Sequence, residues 1–200
     1  SLALGAYVLG SVPTAYILVR WMEGEDIRDF GSRNVGALNA YNRTGAWAGL
    51  LVLLVDTAKG VLAVATPRLL GVDASVLFIT TPLVVAGHNW PVFLQFKGGR
   101  GILTALGSLA LMVPVAALIA TATFLTVTAV SRYISLGSVI GVIIGAVTIL
   151  ALALADINSN TYMIYGFIAC AMIVWQHRDN LQRIRDGNER RLGQSATKAE

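Results

Sequence analysis

Long apolar runs separated by short polar segments constrain this chain more than any other feature. Hydrophobic residues make up 56% of the sequence and charged residues only 13%, and the mean hydropathy is +0.68. A water-soluble domain cannot bury so much apolar surface, and a chain in lipid must satisfy its backbone hydrogen bonds internally. We therefore predict an all-α integral membrane protein. The apolar runs extend over residues 2–22, 46–66, 74–93, 102–130, 136–155 and 161–175.

Prolines divide these runs into helices. The run 102–130 is too long for one untilted span, and Pro114 divides it into a short element, 102–112, and a full span, 115–130. Pro67 is expected to end the second span. The sequence thus predicts seven transmembrane helices, one of them short. They form a single membrane-embedded domain over residues 1–186, followed by a polar C-terminal tail over residues 187–200.

Basic residues predict the orientation of this bundle. With seven spans, segments on one side of the membrane hold 13 of the 15 Lys and Arg residues, whereas the opposite segments hold only Arg68. Because cytoplasmic segments are enriched in Lys and Arg, we predict the N-terminus outside and the C-terminus in the cytoplasm. The net charge of +4 then reflects loop placement, so no nucleic-acid partner is expected.

Two features inside the spans have structural interpretations. Asp56 and Lys59 lie three residues apart, on one face of a helix. Charges at this depth are costly, so they either form an ion pair that braces the bundle or line a polar cavity. Gly137, Gly141 and Gly145 recur every four residues, a spacing typical of close helix packing.

A cationic, glycine-rich turn over residues 96–101 is the strongest candidate for chemistry. Lys97 and Arg100 supply two positive charges, and the intervening glycines let backbone N–H groups approach an anion. A helix that begins at Ile102 would point its N-terminal dipole at the same place. The turn is therefore predicted to hold a phosphate, although an ordinary basic loop on the cytoplasmic side has the same composition.

Three further segments lie on the same predicted side. The loop 31–39 is rich in small, hydroxyl and amide residues, and Ser135 and Ser138 lie at a helix entry. His177 and Asn180 share one helical face. A histidine that steers a proton, beside donors that hold an oxyanion, is the arrangement expected where a hydroxyl attacks an acyl group.

In these segments the sequence resembles the bacterial acyl-phosphate:glycerol-3-phosphate acyltransferases, the PlsY family. Five ordered motifs carry the resemblance: Gly-Ser-x-Asn-Val-Gly-Ala-x-Asn (31–39), Asp-x-x-Lys-Gly (56–60), Gly-His-x-x-Pro-Val-Phe-x-x-Phe-Lys-Gly-Gly-x-Gly (87–101), Arg-Tyr-x-Ser-Leu-x-Ser (132–138) and His-Arg-x-Asn-x-x-Arg (177–183).

The resemblance implies a seven-helix enzyme of the bacterial inner membrane with its active site on the cytoplasmic face. Such an enzyme transfers a fatty acyl group from acyl phosphate to the 1-hydroxyl of glycerol 3-phosphate, and releases lysophosphatidic acid and phosphate. The expected partners are these two substrates, membrane lipids and other subunits of a membrane complex. No cofactor and no metal is expected.

The same resemblance assigns roles to individual residues. Ser32, His177 and Asn180 are the candidate catalytic residues, with His177 and Asn180 orienting the hydroxyl or the leaving phosphoryl group. The remaining candidates bind substrate. Asn34 and Asn39 would contact phosphate or glycerol, Lys97 and Arg100 would bind phosphate, Gly98 and Gly99 would provide backbone donors, and Ser135 and Ser138 would line the pocket.

Three positions depart from the family pattern. Leu38 replaces the usual threonine, and Arg100 replaces a lysine with a different donor geometry. A basic residue expected at Asn42 is displaced to Arg43, which we include among the substrate-binding candidates. The departures leave open a changed acceptor, or a paralogue with weak or lost activity. Two alternatives to the enzyme are a non-catalytic subunit of a larger membrane complex and a small anion transporter.

Overall fold

The computed structural model describes residues 1–194, and within them the long secondary-structure elements are all helices joined by turns and loops. Three short 3-10 turns, Ile27–Asp29, Ala74–Val76 and Val92–Leu94, lie between longer helices. The end of the predicted tail, 195–200, lies outside the described residues. The α-helices of the described range are α1 (Leu2–Ser11), α2 (Thr14–Glu23), α3 (Ala37–Thr44), α4 (Ala46–Leu69), α5 (Leu77–Asn89), α6 (Ile102–Met112), α7 (Pro114–Ser131), α8 (Ile134–Leu154), α9 (Asn160–Gln176) and α10 (Arg178–Arg185).

Length and composition make several of these helical segments suitable for crossing a membrane. Two shorter apolar helices, Ile102–Met112 and Tyr162–Gln176, accompany the longer ones. The prediction of an all-helical, multi-pass membrane protein is confirmed. Between residues 1 and 194, five segments are long and apolar enough to span: Leu2–Glu23, Ala46–Leu69, Ala74–Leu94, Pro114–Ser131 and Ile134–Leu154.

The prolines act in two different ways. Pro114 lies at the start of α7 and separates it from α6, as predicted. Pro67 instead lies inside α4, which continues to Leu69, so the prediction that it ends this helix is wrong. Proline cannot donate a hydrogen bond to the carbonyl four residues earlier, which belongs to Ala63. Thr80 of α5 donates to that carbonyl instead, at 3.1 Å, and such replacement donors let prolines persist within membrane helices.

Glycines bring pairs of helices into backbone contact. A Cβ on Gly60 of α4 would lie 2.7 Å from the backbone nitrogen of Ser108 in α6. On α8, the series at 137, 141 and 145 faces α7, and a Cβ on Gly141 would lie 2.9 Å from the Ala120 carbonyl oxygen. The packing interpretation of that series is therefore confirmed.

A buried ion pair joins α4 to the break between α1 and α2. Lys59 Nζ lies 2.6 Å from Asp56 Oδ1 and donates to the Val12 carbonyl, also at 2.6 Å. Thr14 Oγ1 donates to the same carboxylate at 3.3 Å. Both charged side chains are almost completely buried, 2% exposed for Asp56 and 3% for Lys59. Of the two interpretations offered by the sequence, the structure therefore supports the bracing ion pair.

The described part of the polar tail folds back onto the bundle. The backbone N–H of Leu192 donates to the Arg132 carbonyl at 2.7 Å, and Arg132 Nη2 donates to the Leu192 carbonyl at 2.8 Å. The start of α8 and residues 188–192 are thus neighbours.

Candidate functional site

The glycine turn is held against the end of α5. The N–H of Gly98 donates to the Asn89 carbonyl at 3.2 Å, and the N–H of Gly99 donates to the His88 carbonyl at 3.0 Å. These N–H groups are already engaged, so the prediction that Gly98 and Gly99 offer backbone donors to a phosphate is corrected.

The structure gives these glycines a packing role. A Cβ on Gly98 would overlap the His88 carbonyl oxygen and the Pro91 ring. A Cβ on Gly99 would overlap the imidazole of His88 and lie 2.7 Å from the Val35 carbonyl oxygen. Gly99 thus lies between α5 and the first polar loop, and its small size lets the two segments meet.

Replacing Gly99 with alanine should therefore destabilise the protein. The added methyl group meets a backbone carbonyl and the largely enclosed His88 ring. We therefore expect the free energy of unfolding to fall by about 1–3 kcal/mol. Gly5→Ala is the matched control, because a Cβ at that helical position meets nothing within 4 Å. Chemical unfolding in detergent measures both variants, and equal stability of the two would contradict the packing role.

Arg100 and the start of α6 occupy the end of the same turn. Helix α6 begins at Ile102, as predicted, after Gly101 in the left-handed region at φ 77°. Arg100 keeps part of its surface exposed, although protein surrounds most of it. Burial lowers the pKa of Arg100 to about 10, which the nearby Glu189 carboxylate opposes. The guanidinium remains charged at neutral pH.

Around Arg100, the structure gathers a set of side chains that we call the Glu189 cluster: Ser135, Asn180, Arg183 and Glu189. Glu189 Oε1 accepts hydrogen bonds from Ser135 Oγ at 2.7 Å and Asn180 Nδ2 at 2.6 Å. Its Oε2 accepts from Arg183 Nε at 2.8 Å. Burial alone would raise the pKa of Glu189, but these three hydrogen bonds together lower it by more. The net pKa of Glu189 is therefore below its usual value, and the carboxylate is ionised at neutral pH.

His177 lies beside this cluster, and the residue is 1% exposed. Its Nδ1 lies 2.8 Å from the Ile173 carbonyl oxygen. A carbonyl only accepts, so Nδ1 carries the proton and Nε2 is left as the acceptor. Burial lowers the pKa of His177 to about 4, and the positive charge of Arg100 adds to that shift. The ring is therefore neutral at pH 7.

The imidazole of His177 should titrate near pH 4 rather than near 6.5. Its folded pKa is below the unfolded value, so its contribution to stability is present above pH 6.5 and is lost as pH falls toward 4. NMR of histidine-labelled protein measures the midpoint, and His88→Gln assigns the signals because the chain has 2 histidines. A midpoint near 6.5 would contradict this environment.

The first polar loop is organised by Asn39. Its Nδ2 donates to the carbonyls of Ile27 at 3.0 Å, Phe30 at 3.1 Å and Asn34 at 3.1 Å. Its Oδ1 accepts from the Ser32 N–H at 3.4 Å. Since its amide is used within the chain and is buried, the prediction that Asn39 contacts substrate is corrected to a role in shaping the loop.

Arg43 is also engaged within the chain. Its guanidinium pairs with Glu25, lies 3.7 Å from Glu23 Oε2, and stacks 4.4 Å from the centroid of the Phe30 ring. Two carboxylates compensate its charge, so the structure does not present Arg43 as a substrate-binding residue, and that prediction is corrected.

A cavity of about 400 Å³ opens between the first loop, the glycine turn and the end of α9. We call it the basic pocket, because four of its lining residues are cations. Of the predicted site residues, Lys97 and Gly98 line this pocket. Arg33, which was not predicted, also lines it, whereas its sequence neighbours Ser32 and Asn34 do not. The residues that line the pocket are Arg28, Arg33, Asn89, Trp90, Phe96, Lys97, Gly98, Trp175, Gln176 and Arg178.

The predicted residues thus separate into two neighbouring groups. His177, Asn180 and Ser135 come together with Arg100, and Ser138 is buried one turn further along α8. Ser32 and Asn34 form a local turn in which Ser32 Oγ accepts from the Asn34 N–H at 3.4 Å.

Sequence reasoning missed two members of the site. Arg183 lies three residues after Asn180, on the same helical face. This spacing could have indicated that Arg183 belongs to the site. Glu189 lies in a polar segment with no motif, so no sequence signal distinguishes it. Only the fold-back of the tail brings it to the cluster.

These observations define a class: a multi-pass helical membrane protein with a cationic, histidine-containing site at one end of the bundle. Residues 1–187 match the glycerol-3-phosphate acyltransferase family. The chain belongs to this family.

Relatives cover almost the whole chain. A glycerol-3-phosphate acyltransferase of Desulforamulus reducens is 39% identical over 97% of this chain and 95% of its own length. A glycerol-3-phosphate acyltransferase of Clostridioides difficile is 38% identical over 96% of this chain and 95% of its own length. A crystal structure of PlsY (YgiH), an integral membrane glycerol 3-phosphate acyltransferase, in its glycerol 3-phosphate form, has a TM-score of 0.87 at 35% identity and covers 96% of this chain and 94% of its own. The lysophosphatidic acid form has a TM-score of 0.83 at 33% identity.

Proposed function

We propose that this chain transfers a fatty acyl group from acyl phosphate to the 1-hydroxyl of glycerol 3-phosphate. The products are lysophosphatidic acid and inorganic phosphate. The observation that carries the proposal is the neutral, buried His177 beside the Arg100 guanidinium and the Glu189 cluster. A hydrogen-bond acceptor that aims the hydroxyl, next to charged donors that hold the developing oxyanion, suits acyl transfer to an alcohol. Family membership over residues 1–187 supports the same activity.

The two anionic reactants have two cationic regions available. In the proposed arrangement, Arg100, Ser135, Asn180 and Arg183 hold the phosphate of glycerol 3-phosphate. The basic pocket holds the phosphoryl group of the acyl phosphate. Trp90 and Trp175 line that pocket, and tryptophans favour the membrane interface, where a fatty chain can remain in lipid. Ser32 and Asn34 contribute from the edge of the pocket.

The proposed chemical step is a direct transfer. The 1-hydroxyl oxygen attacks the acyl carbon, a new ester bond forms, and the bond from the acyl carbon to the phosphate oxygen breaks. His177 Nε2 accepts a hydrogen bond from the hydroxyl and aims it. A ring with a pKa of about 4 is a weak base, so the proton passes to the more basic leaving phosphate. Holding the two reacting atoms at about 3–3.5 Å supplies much of the acceleration.

We place this site on the cytoplasmic face of the bacterial inner membrane. The proposal keeps seven spans, counting the shorter helices Ile102–Met112 and Tyr162–Gln176 with the longer ones. The N-terminus lies outside and the C-terminus inside. The concentration of Lys and Arg residues on the site's side supports this orientation, and other subunits of a membrane complex remain predicted partners.

Purified protein mixed with palmitoyl phosphate and glycerol 3-phosphate tests the activity. We expect lysophosphatidic acid and inorganic phosphate in equal amounts, and no product when palmitoyl-CoA replaces palmitoyl phosphate. Folded protein that yields no product would favour the non-catalytic subunit. Uptake of glycerol 3-phosphate into proteoliposomes without acylation would favour the transporter.

A further inference from the structure

Arg33 has a backbone conformation that residues other than glycine rarely adopt. Its φ is +57°, in the left-handed region. One amide holds both of its sequence neighbours: the N–H of Ser32 donates to Asn39 Oδ1 at 3.4 Å, and Asn39 Nδ2 donates to the Asn34 carbonyl at 3.1 Å. The N–H of Arg33 itself donates to the Phe30 carbonyl at 2.9 Å. The loop therefore holds residue 33 in this conformation from both sides.

A left-handed conformation at a non-glycine residue costs free energy, and such residues collect at functional sites. Burial does not offset this cost at Arg33, because the residue is exposed. Arg33 instead lines the basic pocket, together with Lys97 of the glycine turn. Phe96, with a φ of +63°, is a second non-glycine residue in the pocket lining that has a left-handed conformation. Two strained positions thus meet at this pocket.

The lining of the pocket combines cations with aromatic rings that the protein leaves uncovered. Phe96 is 58% exposed and Trp175 is 60% exposed. Arg33 and Lys97 bring positive charge from two separate segments, the first polar loop and the glycine turn. A small polar anion gains little from aromatic rings, whereas an anion attached to an alkyl chain can contact both the rings and the cations. The lining therefore favours the acyl phosphate over glycerol 3-phosphate.

We propose that Arg33 is a substrate-binding residue that selects the phosphoryl group of the acyl phosphate. The inference rests on the proposed function, because it takes the basic pocket as the acyl phosphate site. A planar guanidinium can donate two parallel hydrogen bonds to one phosphoryl group, a geometry that a lysine ammonium does not offer. The left-handed backbone places Arg33 in the pocket lining, so the strain in this loop serves binding rather than stability.

Equilibrium binding to Arg33→Gly and Arg33→Ala tests this role. The probe is decylphosphonate, an anion on an alkyl chain that carries no acyl group to transfer. Both variants remove the guanidinium, so the dissociation constant of decylphosphonate should rise at least about fivefold in each. That of glycerol 3-phosphate should stay within about twofold of wild type. Arg20→Ala is the matched control, because Arg20 is an exposed arginine outside the pocket lining, and it should leave both constants within about twofold.

Chemical unfolding of the same two variants separates a binding role from a structural one. Glycine adopts the left-handed region without strain, so Arg33→Gly should unfold at a higher denaturant concentration than Arg33→Ala, although both bind decylphosphonate weakly. The reverse order of stability would overturn the proposal.

Binding results would overturn it in two further ways. One is a decylphosphonate constant within about twofold of wild type in either folded variant, and the other is an equal loss of glycerol 3-phosphate binding. Acyl transfer by the wild-type protein, with decylphosphonate binding unchanged in the variants, would reject the role of Arg33 alone. Weakened binding in the variants, without acyl transfer by the wild-type protein, would reject only the enzymatic function.

Discussion

Arg100→Ala is expected to lower kcat/KM for acyl transfer by at least about a hundredfold. The guanidinium is largely surrounded by protein, and its charge acts on both His177 and Glu189. In a site with little water, a directed cation stabilises developing negative charge far more than it would in solvent. Initial rates with palmitoyl phosphate and glycerol 3-phosphate measure the effect.

Two controls make this result specific. Arg100→Lys keeps the charge but loses the planar donor geometry, so it should recover part of the loss. Arg185→Ala removes an arginine whose side chain is 78% exposed at the end of α10, and it should retain wild-type rates. A rate for Arg100→Ala within about threefold of wild type would remove Arg100 from the site.

Lys59→Ala should produce the largest loss of stability. It leaves the Asp56 carboxylate 2% exposed without its ion-pair partner and removes the donor to the Val12 carbonyl. Breaking a buried pair by removing one member costs about 3–5 kcal/mol. Chemical unfolding in detergent measures the loss. Arg20→Ala is the control, since Arg20 is exposed and donates to the nearby Gly24 carbonyl.

A double variant distinguishes two reasons why Lys59→Ala could be unstable. One is the loss of the attraction between Lys59 and Asp56, and the other is the buried Asp56 charge that is left without a partner. Asp56→Leu combined with Lys59→Met leaves no buried charge, so the double variant should be more stable than Lys59→Ala. A double variant less stable than either single variant would instead show that Asp56 and Lys59 are needed separately.

Much of the fold could be predicted because apolar runs and glycine spacing act locally. The start of α6 at Ile102 and its separation from α7 at Pro114 follow from nearby residues alone. Pro67 could not be interpreted in this way. Whether α4 continues past it depends on a donor from another helix, Thr80, and the sequence does not reveal which helices are neighbours.

The candidate site was predictable in its chemistry more than in its contacts. The types of residue identified the family, and the structure brings His177, Asn180 and Ser135 together. The roles of Gly98 and Gly99 were not predictable, because they depend on carbonyls at the end of α5. Asn39 and Arg43 have side chains suited to binding phosphate. In the structure, however, Asn39 donates to backbone carbonyls of the same loop and Arg43 pairs with a carboxylate of that loop.

The central claim is that both anionic reactants occupy one site together and that the acyl group passes directly between them. Initial rates measured while both concentrations are varied test it most directly. Direct transfer predicts double-reciprocal lines that intersect, with no burst of inorganic phosphate when glycerol 3-phosphate is omitted. Parallel lines together with a phosphate burst equal to the enzyme concentration would show an acyl-enzyme intermediate and contradict the claim.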